Sequence, residues 1–335
     1  MLKNWLHTSI LKKRKQKERG IMLNTPICEM LGIKHPILQG GMAHISDAHL
    51  AAAVSNGGGL GIISAANGNV SWLSEQIDTA RKLTDKPFGV NIMLMGENID
   101  EIAKLVAEKK VAVVTTGAGN PEKYIPMWKE AGVKVIPVIA SSALAKLVER
   151  SGADAVIAEG GESGGHVGEM TTMALVPQVC DSVNIPVIAA GGIADGRGMA
   201  AALMLGSSGV QIGTRFLVAH ECNISREYKD KLLKANDTAT IVTGRRLGHP
   251  VRSLKSPFSR GYQKLEYSDI SDEELEKYAV GSLKAAVVDG DSKKGCFLAG
   301  QISGLVNKEE NASDIIADIV TEAENILNGA KKWVK

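Results

Sequence analysis

Aromatic residues are scarce, 4% of 335 residues. The core must therefore be built from Val, Ile, Leu, Ala and Met, which suits buried parallel strands rather than an aromatic-rich β-sandwich. Only four cysteines occur, Cys28, Cys180, Cys222 and Cys296, far apart and with no C-x-x-C pair. That spacing argues against a thiolate metal site and a disulfide framework, so no metal is expected and the expected location is a reducing cytoplasm. No apolar run approaches the roughly 20 residues that a bilayer-spanning helix needs. Net charge is small too, +2, but unevenly placed. Residues 1–21 hold seven Lys/Arg and one Glu, leaving 32 basic against 36 acidic residues in the remainder. A mildly acidic body gives no support for nucleic-acid binding. The dinucleotide fingerprint G-x-G-x-x-G is missing as well: no G-x-G pair has its third glycine in place.

The basic leader "MLKNWLHTSILKKRKQKERGI" makes a poor targeting peptide, because its charges follow the short apolar stretch and no A-x-A-like site appears. Leu2, Trp5, Leu6 and Ile10 beside the lysines would suit a membrane-surface anchor. The plainer expectation is a disordered extension over 1–21, with Met22 as the working start.

From Met22 onward, apolar strands alternate with amphipathic helical stretches. Strands are expected at 36–40, 60–64, 87–93, 111–116, 133–139, 153–159, 185–192 and 209–214. Helical spacing of apolar residues occupies the segments between them, as in "SWLSEQIDTARKLT" and "IDEIAKLVAEKK". Eight strands too apolar to have a wet face, one every 20–25 residues or so, point to βα repeats around a parallel sheet. An open, doubly wound sheet is the rival, but the missing fingerprint disfavours it. The expected fold is therefore α/β: a (β/α)8 TIM barrel over 22–219, with a smaller cap subdomain inserted after strand 8. Residues 220–308, read as basic, polar and turn-rich before an acidic helix start, form that cap. Residues 309–335 return to the barrel as a C-terminal helix.

In such a barrel, function gathers at the carboxyl ends of the strands. Six segments there are short, polar or glycine-rich: 39–43, Asn91, 115–120, 159–168, 190–196 and 211–215. One of them lies in "VIAEGGESGGHVG", residues 156–168, where five glycines surround a single histidine. So many glycines resist helix and strand alike, and imply close approach of the backbone to a ligand. The loops "AAGGIADG" and "GVQIGTR" end the last two strands, where barrels commonly bind phosphate through backbone N–H groups. Gly191, Gly192, Gln211, Gly213 and Thr214 are the candidates there. With no lysine or paired carboxylates on the rim, a non-redox isomerase or lyase is disfavoured.

Seven segments in order, "ILQGGMA", "GGGLGII", "KPFGVNIML", "VVTTGAGNP", "GADAVIAEGGESGGHVG", "IPVIAAGGIADG" and "VQIGTRF", resemble the flavin-dependent enoyl-acyl-carrier-protein reductases (type II), a branch of the nitronate monooxygenase superfamily. The likeness runs over about residues 22–310 and includes "GQISGLV" near the end. It implies an FMN-containing barrel that uses NADH or NADPH to reduce the 2,3-double bond of enoyl thioesters in fatty-acid synthesis. It also implies that His166 faces the substrate as the catalytic residue, within a loop in which Gly164 and Gly165 let the backbone pass over the flavin ring. Gly41 and Met42 would line the flavin, Asn91 would bond its ring edge, Thr115 would join them, and Glu159 would bond ribityl hydroxyls. A homodimer and an acyl-carrier-protein thioester partner are further expectations. The basic stretch "GRRLGHPVRSLK" is either a steering patch for that acidic partner or a solvated surface. His249, within it, is either a neighbour of the substrate or a surface residue, while His44, His49 and His220 are expected in solvent. A nitronate monooxygenase, using the same fold, cofactor and histidine, is the alternative activity; a flavin-binding regulatory module without turnover is the alternative outside enzymes.

Overall fold

The computed structural model describes residues 23–67, 69–96 and 98–333; the basic leader lies outside them. Numbered along the chain, the strands of the main sheet are β1 (Ile37–Gln39), β2 (Gly61–Ser64), β3 (Phe88–Met93), β4 (Val113–Gly117), β5 (Lys134–Ile139), β6 (Val156–Glu159), β8 (Val187–Ala190) and β9 (Gly209–Ile212); β7 (Gly165–His166) belongs to another sheet. The eight run parallel in the order β1-β9-β8-β6-β5-β4-β3-β2. Leu60 closes the ring: its N–H donates to Ile37 O, and its carbonyl accepts from Gln39 N–H, both at 2.9 Å. The chain is thus a TIM barrel.

Alternation along each strand builds two cores. Leu38, Leu60, Ile62, Val113, Ile136, Ile157 and Ile188 fill the barrel, and a short helix α1 (Pro26–Leu31) closes its floor with Ile27 and Leu31. Their strand neighbours Ile63, Val114, Val135, Val156 and Ala158 face outward onto the helices. Full burial of each such side chain stabilises the fold by about 1.5–3 kcal/mol.

The outer layer comprises α2 (Ala48–Asn56), α3 (Val70–Leu83), α4 (Ile99–Glu108), α5 (Ile125–Glu130), α6 (Ser142–Arg150), α7 (Thr172–Cys180) and α8 (Gly196–Met204). Carboxylates start two of them. Asp47 accepts from His49 and Leu50 N–H, and Asp195 from Arg197 and Gly198 N–H, pairing amides that a helix start leaves unbonded.

After β9 come α9 (Arg226–Leu233), the hairpin strands β10 (Thr240–Thr243) and β11 (Val251–Leu254), then α10 (Pro257–Glu266), α11 (Asp272–Ala279) and α12 (Ser282–Val287). This region is more ordered than its turn-rich sequence suggests. Helix α10 carries apolar residues at Phe258, Tyr262 and Leu265, the spacing of a single buried stripe. Its Gly261 reads as a breaker, but a Cβ there would lie 2.3 Å from the Tyr278 hydroxyl, so the glycine makes room for a packed ring. The acidic stretch 271–287, read as one helix start, is two helices: Ser271 caps α11, and Gly281, at a φ of +76°, turns the chain into α12. The final helix, α13 (Ala312–Gly329), lays Ile315, Ile316, Ile319, Val320 and Ala323 between α8 and α2, completing the outer ring.

Strand β7 is where barrel and cap join. The chain leaves β6, and Gly165 and His166 pair antiparallel with Arg252 and Val251 of β11, giving a three-stranded cap sheet β10-β11-β7.

Candidate active site

A cavity of about 560 Å³ opens at the carboxyl ends of the barrel strands, roofed by the 162–168 segment and by cap residues including His249, Pro250 and Leu298. Parallel register brings the strand ends level: Ser64 stands beside Asn91, Asn91 beside Thr115, Glu159 beside Ala190, and Ala190 beside Gln211.

One wall is a backbone cradle. Gly191 and Gly192 take φ of +87° and +74°, where side chains with a Cβ are strained. A Cβ on Gly191 would also stand 2.7 Å from Gly160 O. Beside them lie Gln211, Gly213 and Thr214, the last opening a 3₁₀ turn (Thr214–Val218). Thr214 Oγ1 accepts from Gly300 N–H at 2.9 Å, which fixes the hydroxyl while leaving its own proton to donate. Arg215, next in sequence, is buried and paired with Glu310, anchoring this wall to the segment ahead of α13.

Across the mouth, Thr115 Oγ1 donates to Asn91 Oδ1 at 2.9 Å. The Asn91 amide therefore presents its NH₂ donors toward the cavity. Gly41 lies against this side chain: a Cβ there would be 2.3 Å from Asn91 Cβ. Met42 lines the cavity beside Gly41, with its sulfur 3.7 Å from the position of a Cβ on Gly213. Thr115 itself is buried and does not line the cavity. The sequence expectation placed it among the cofactor contacts; here its hydroxyl bonds Asn91 from behind the cavity wall.

Two carboxylates, Glu159 and Glu162, occupy the third side, where the sequence reading expected no such pair. Glu159 ends β6, faces the cavity and is bonded by Ser163 Oγ at 3.3 Å. Burial raises its pKa from 4.5 to about 7, the Ser163 bond opposing this more weakly. Glu162 turns to the first turn of α7, accepting from Thr172 N–H and Oγ1 at 2.9 Å each.

His166 forms the roof. It remains exposed to the open cavity, yet burial first, and the neighbouring His249 second, hold its pKa below the ordinary 6.5. His249 is brought there by the β7–β11 pairing and lines the same cavity. Gly164 packs so tightly that a Cβ would be 2.6 Å from Ala299 C, and Gly165 makes the turn into β7 at a φ of +78°. Arg252 ties roof to barrel, donating to Gly161 O at 2.9 Å and Thr240 Oγ1 at 3.3 Å.

All of Gly41, Met42, Asn91, Glu159, Gly164, Gly165, His166, Gly191, Gly192, Gln211, Gly213 and Thr214 line this one cavity, with Thr115 behind them. His44, His49 and His220 are exposed. Ser64, Glu162 and Arg252 were not singled out from the sequence. Ser64 had the same signal as the others, a polar residue at a strand's carboxyl end, in a loop that carries little glycine. Among the described residues no cluster of His, Cys, Asp or Glu could hold a metal ion, and no helix is long and apolar enough to cross a membrane.

The chain matches the nitronate monooxygenase family over residues 24–109 and 95–322. It superposes on the structure of FabK from Thermotoga maritima with a TM-score of 0.91 and 51% identity, covering 93% of this chain and 99% of that one. It is 35% identical to a (3aS,4S,5R,7aS)-5-hydroxy-7a-methyl-1-oxo-octahydro-1H-indene-4-carboxyl-CoA dehydrogenase of Mycobacterium tuberculosis, over 93% of this chain and 99% of that protein. It is 34% identical to a probable nitronate monooxygenase of Staphylococcus saprophyticus, over 91% and 99% respectively. With its eight-stranded barrel and a family match over most of its length, the chain belongs to the nitronate monooxygenase family of flavin-dependent oxidoreductases.

Proposed function

We propose that this chain is an FMN-dependent enoyl-[acyl-carrier-protein] reductase that uses NADH or NADPH. The observation that carries the reading is one cavity with a glycine cradle on its wall and His166 in its roof. The cradle fits a flavin mononucleotide. Gly191 and Gly192 hold positive φ, and the space beside Gly191 is too tight for a side chain. No amide of Gly191, Gly192, Gly213 or Thr214 is spent in a backbone bond among the described residues. A dianionic phosphate suits such a nest of N–H groups. Glu159 would meet the ribityl hydroxyls, and the Asn91 NH₂ the ring edge. The thioester assignment is supported by the 51% identity to FabK and by the acyl-CoA named for the mycobacterial relative.

Held there, FMN would supply hydride transfer from the nicotinamide to the β-carbon of the enoyl thioester. The protein's own residues then manage the proton and the charge. His166 would deliver the proton to the α-carbon and hydrogen-bond the thioester oxygen as negative charge grows on it. A lowered pKa leaves less of the imidazole protonated at neutral pH but makes that fraction the stronger acid. Arg246 is spent on Asp272, Ser268 O and Ile270 O, and Arg252 on Gly161 O, so the basic stretch offers the exposed Arg245 and Lys255 to an acidic carrier protein.

The test is NADH consumption with a crotonyl thioester against oxygen uptake with an alkyl nitronate. Thioester-dependent NADH oxidation supports the reductase. Nitronate-dependent oxygen uptake with no thioester turnover would assign the chain to the monooxygenase activity.

A further inference from the structure

Ser64 ends β2 and is 1% exposed, and it lines the cavity. Its backbone is satisfied, since the N–H donates to Ser46 O at 3.0 Å. Its hydroxyl is not: Ser64 Oγ is buried with no hydrogen-bond partner. Thr116, Ser207, Arg252 and Ser253 also bury an unpaired atom, but of these five only Ser64 lines the cavity among the described residues. An orphaned buried hydroxyl is unfavourable, and a polar group of a ligand would relieve it.

The register says which part of a ligand. Ser64 stands beside Asn91, whose amide is turned by Thr115 so that its NH₂ donates into the cavity. Ser64 adds an O–H donor to that row. The two donors lie across the mouth from the Gly191–Gly192 cradle. A flavin anchored there by its phosphate carries its ring away from the cradle along the ribityl chain. That ring has an apolar dimethyl edge and an edge bearing two carbonyls, and a pair of donors matches the second. We infer that Ser64, with Asn91, hydrogen-bonds the carbonyl-bearing edge of the flavin, and thereby favours the electron-rich reduced state. The inference rests on the proposed FMN site and assigns a further residue to it.

The experiment compares wild-type protein with Ser64→Ala, stripped of flavin and then titrated with FMN. Thermal unfolding of the apo forms, FMN dissociation constants and the midpoint potential of bound FMN are measured. Removing an unpaired hydroxyl should leave the apo Tm unchanged or higher. The FMN dissociation constant should rise by roughly 3–10-fold, the worth of one hydrogen bond. The midpoint potential should fall, because the reduced form loses more than the oxidised form. Unchanged affinity and potential would overturn the inference and leave the hydroxyl to a buried water. A lower apo Tm would overturn it in favour of a structural role. If wild-type protein binds no FMN, the proposed function itself fails, and this inference with it.

Discussion

The barrel rim and the cap sheet face each other across one cavity and contribute opposite kinds of group. The rim offers donors and backbone: Asn91 NH₂, Gln211, Thr214 and the Gly191–Gly192 turn, all fixed by strands that close on themselves. The cap sheet offers the two imidazoles, His166 on β7 and His249 just ahead of β11. On the proposed function, the groups that would bind the cofactor ride on the closed barrel, and the two imidazoles ride on a small appended sheet. A residue's expected effect therefore depends on which side it stands.

The largest separation should come from His166→Ala. FMN should stay bound, while enoyl reduction slows by roughly 10²–10⁴-fold, the range for a lost general acid–base group. Flavin reduction by NADH should suffer less, and stopped-flow absorbance can follow the two half-reactions apart. Reoxidation by enoyl thioester at the wild-type rate would make His166 structural. Loss of flavin would erase the division between rim and cap.

On the rim, Gly192→Val places a branched residue at a φ of +74°. The strain should weaken FMN binding by roughly 10–100-fold, with circular dichroism unchanged because the position lies in a loop. Full flavin occupancy in the variant would refute the cradle.

Glu159 sharpens the comparison through pH. Its folded pKa, about 7, lies above the ordinary 4.5, so between those values the folded chain binds the extra proton. Its contribution is most favourable below that window and worsens as pH rises through it. Glu159→Gln should therefore gain in apo stability relative to wild type from pH 4.5 to pH 7, by about 1–3 kcal/mol at the upper end. Urea denaturation at several pH values measures this. A difference that does not change with pH would contradict the burial account.

The smallest effect belongs to His249→Gln. Burial, the larger cause of the lowered His166 pKa, persists, and only the neighbouring charge is removed. The His166 pKa, followed by NMR, should rise modestly toward 6.5 and stay below it. A further fall would mean that His249 acts on it in another way.

Much of the barrel was legible because parallel strands buried on both faces are continuous apolar runs, such as "VIAA" at 187–190 and "VIA" at 156–158. Of the proposed site, the residues whose chemistry and position coincide in sequence, His166 and Glu159, do line the one cavity. Thr115 lies on the expected rim but behind the cavity wall, since sequence does not tell which face of a strand end looks inward. Ser64 shared the signal of a polar strand end but was overlooked because the alanines after it, unlike the glycines of the other loops, draw no attention to a ligand. Its meaning lies in an unmade bond. The cap hairpin was hidden because β11 finds one partner in β10 and the other in a glycine segment of the barrel.

That long-range pairing bears on how the protein comes into being. Arg252 reaches back 91 residues to Gly161, and Pro250 O accepts from Val167 N–H across a similar span. On an elongating chain, every barrel strand has been synthesised before β11 exists. The roof segment therefore has no strand to pair with until late in synthesis, and the closure entropy of so long a loop falls on that one docking step. The same step in reverse is an inexpensive local opening, because β7 contributes only two residues to its sheet. The roof of the cavity is thus set in place after the last barrel strand has been made, and it is held there by a short pairing.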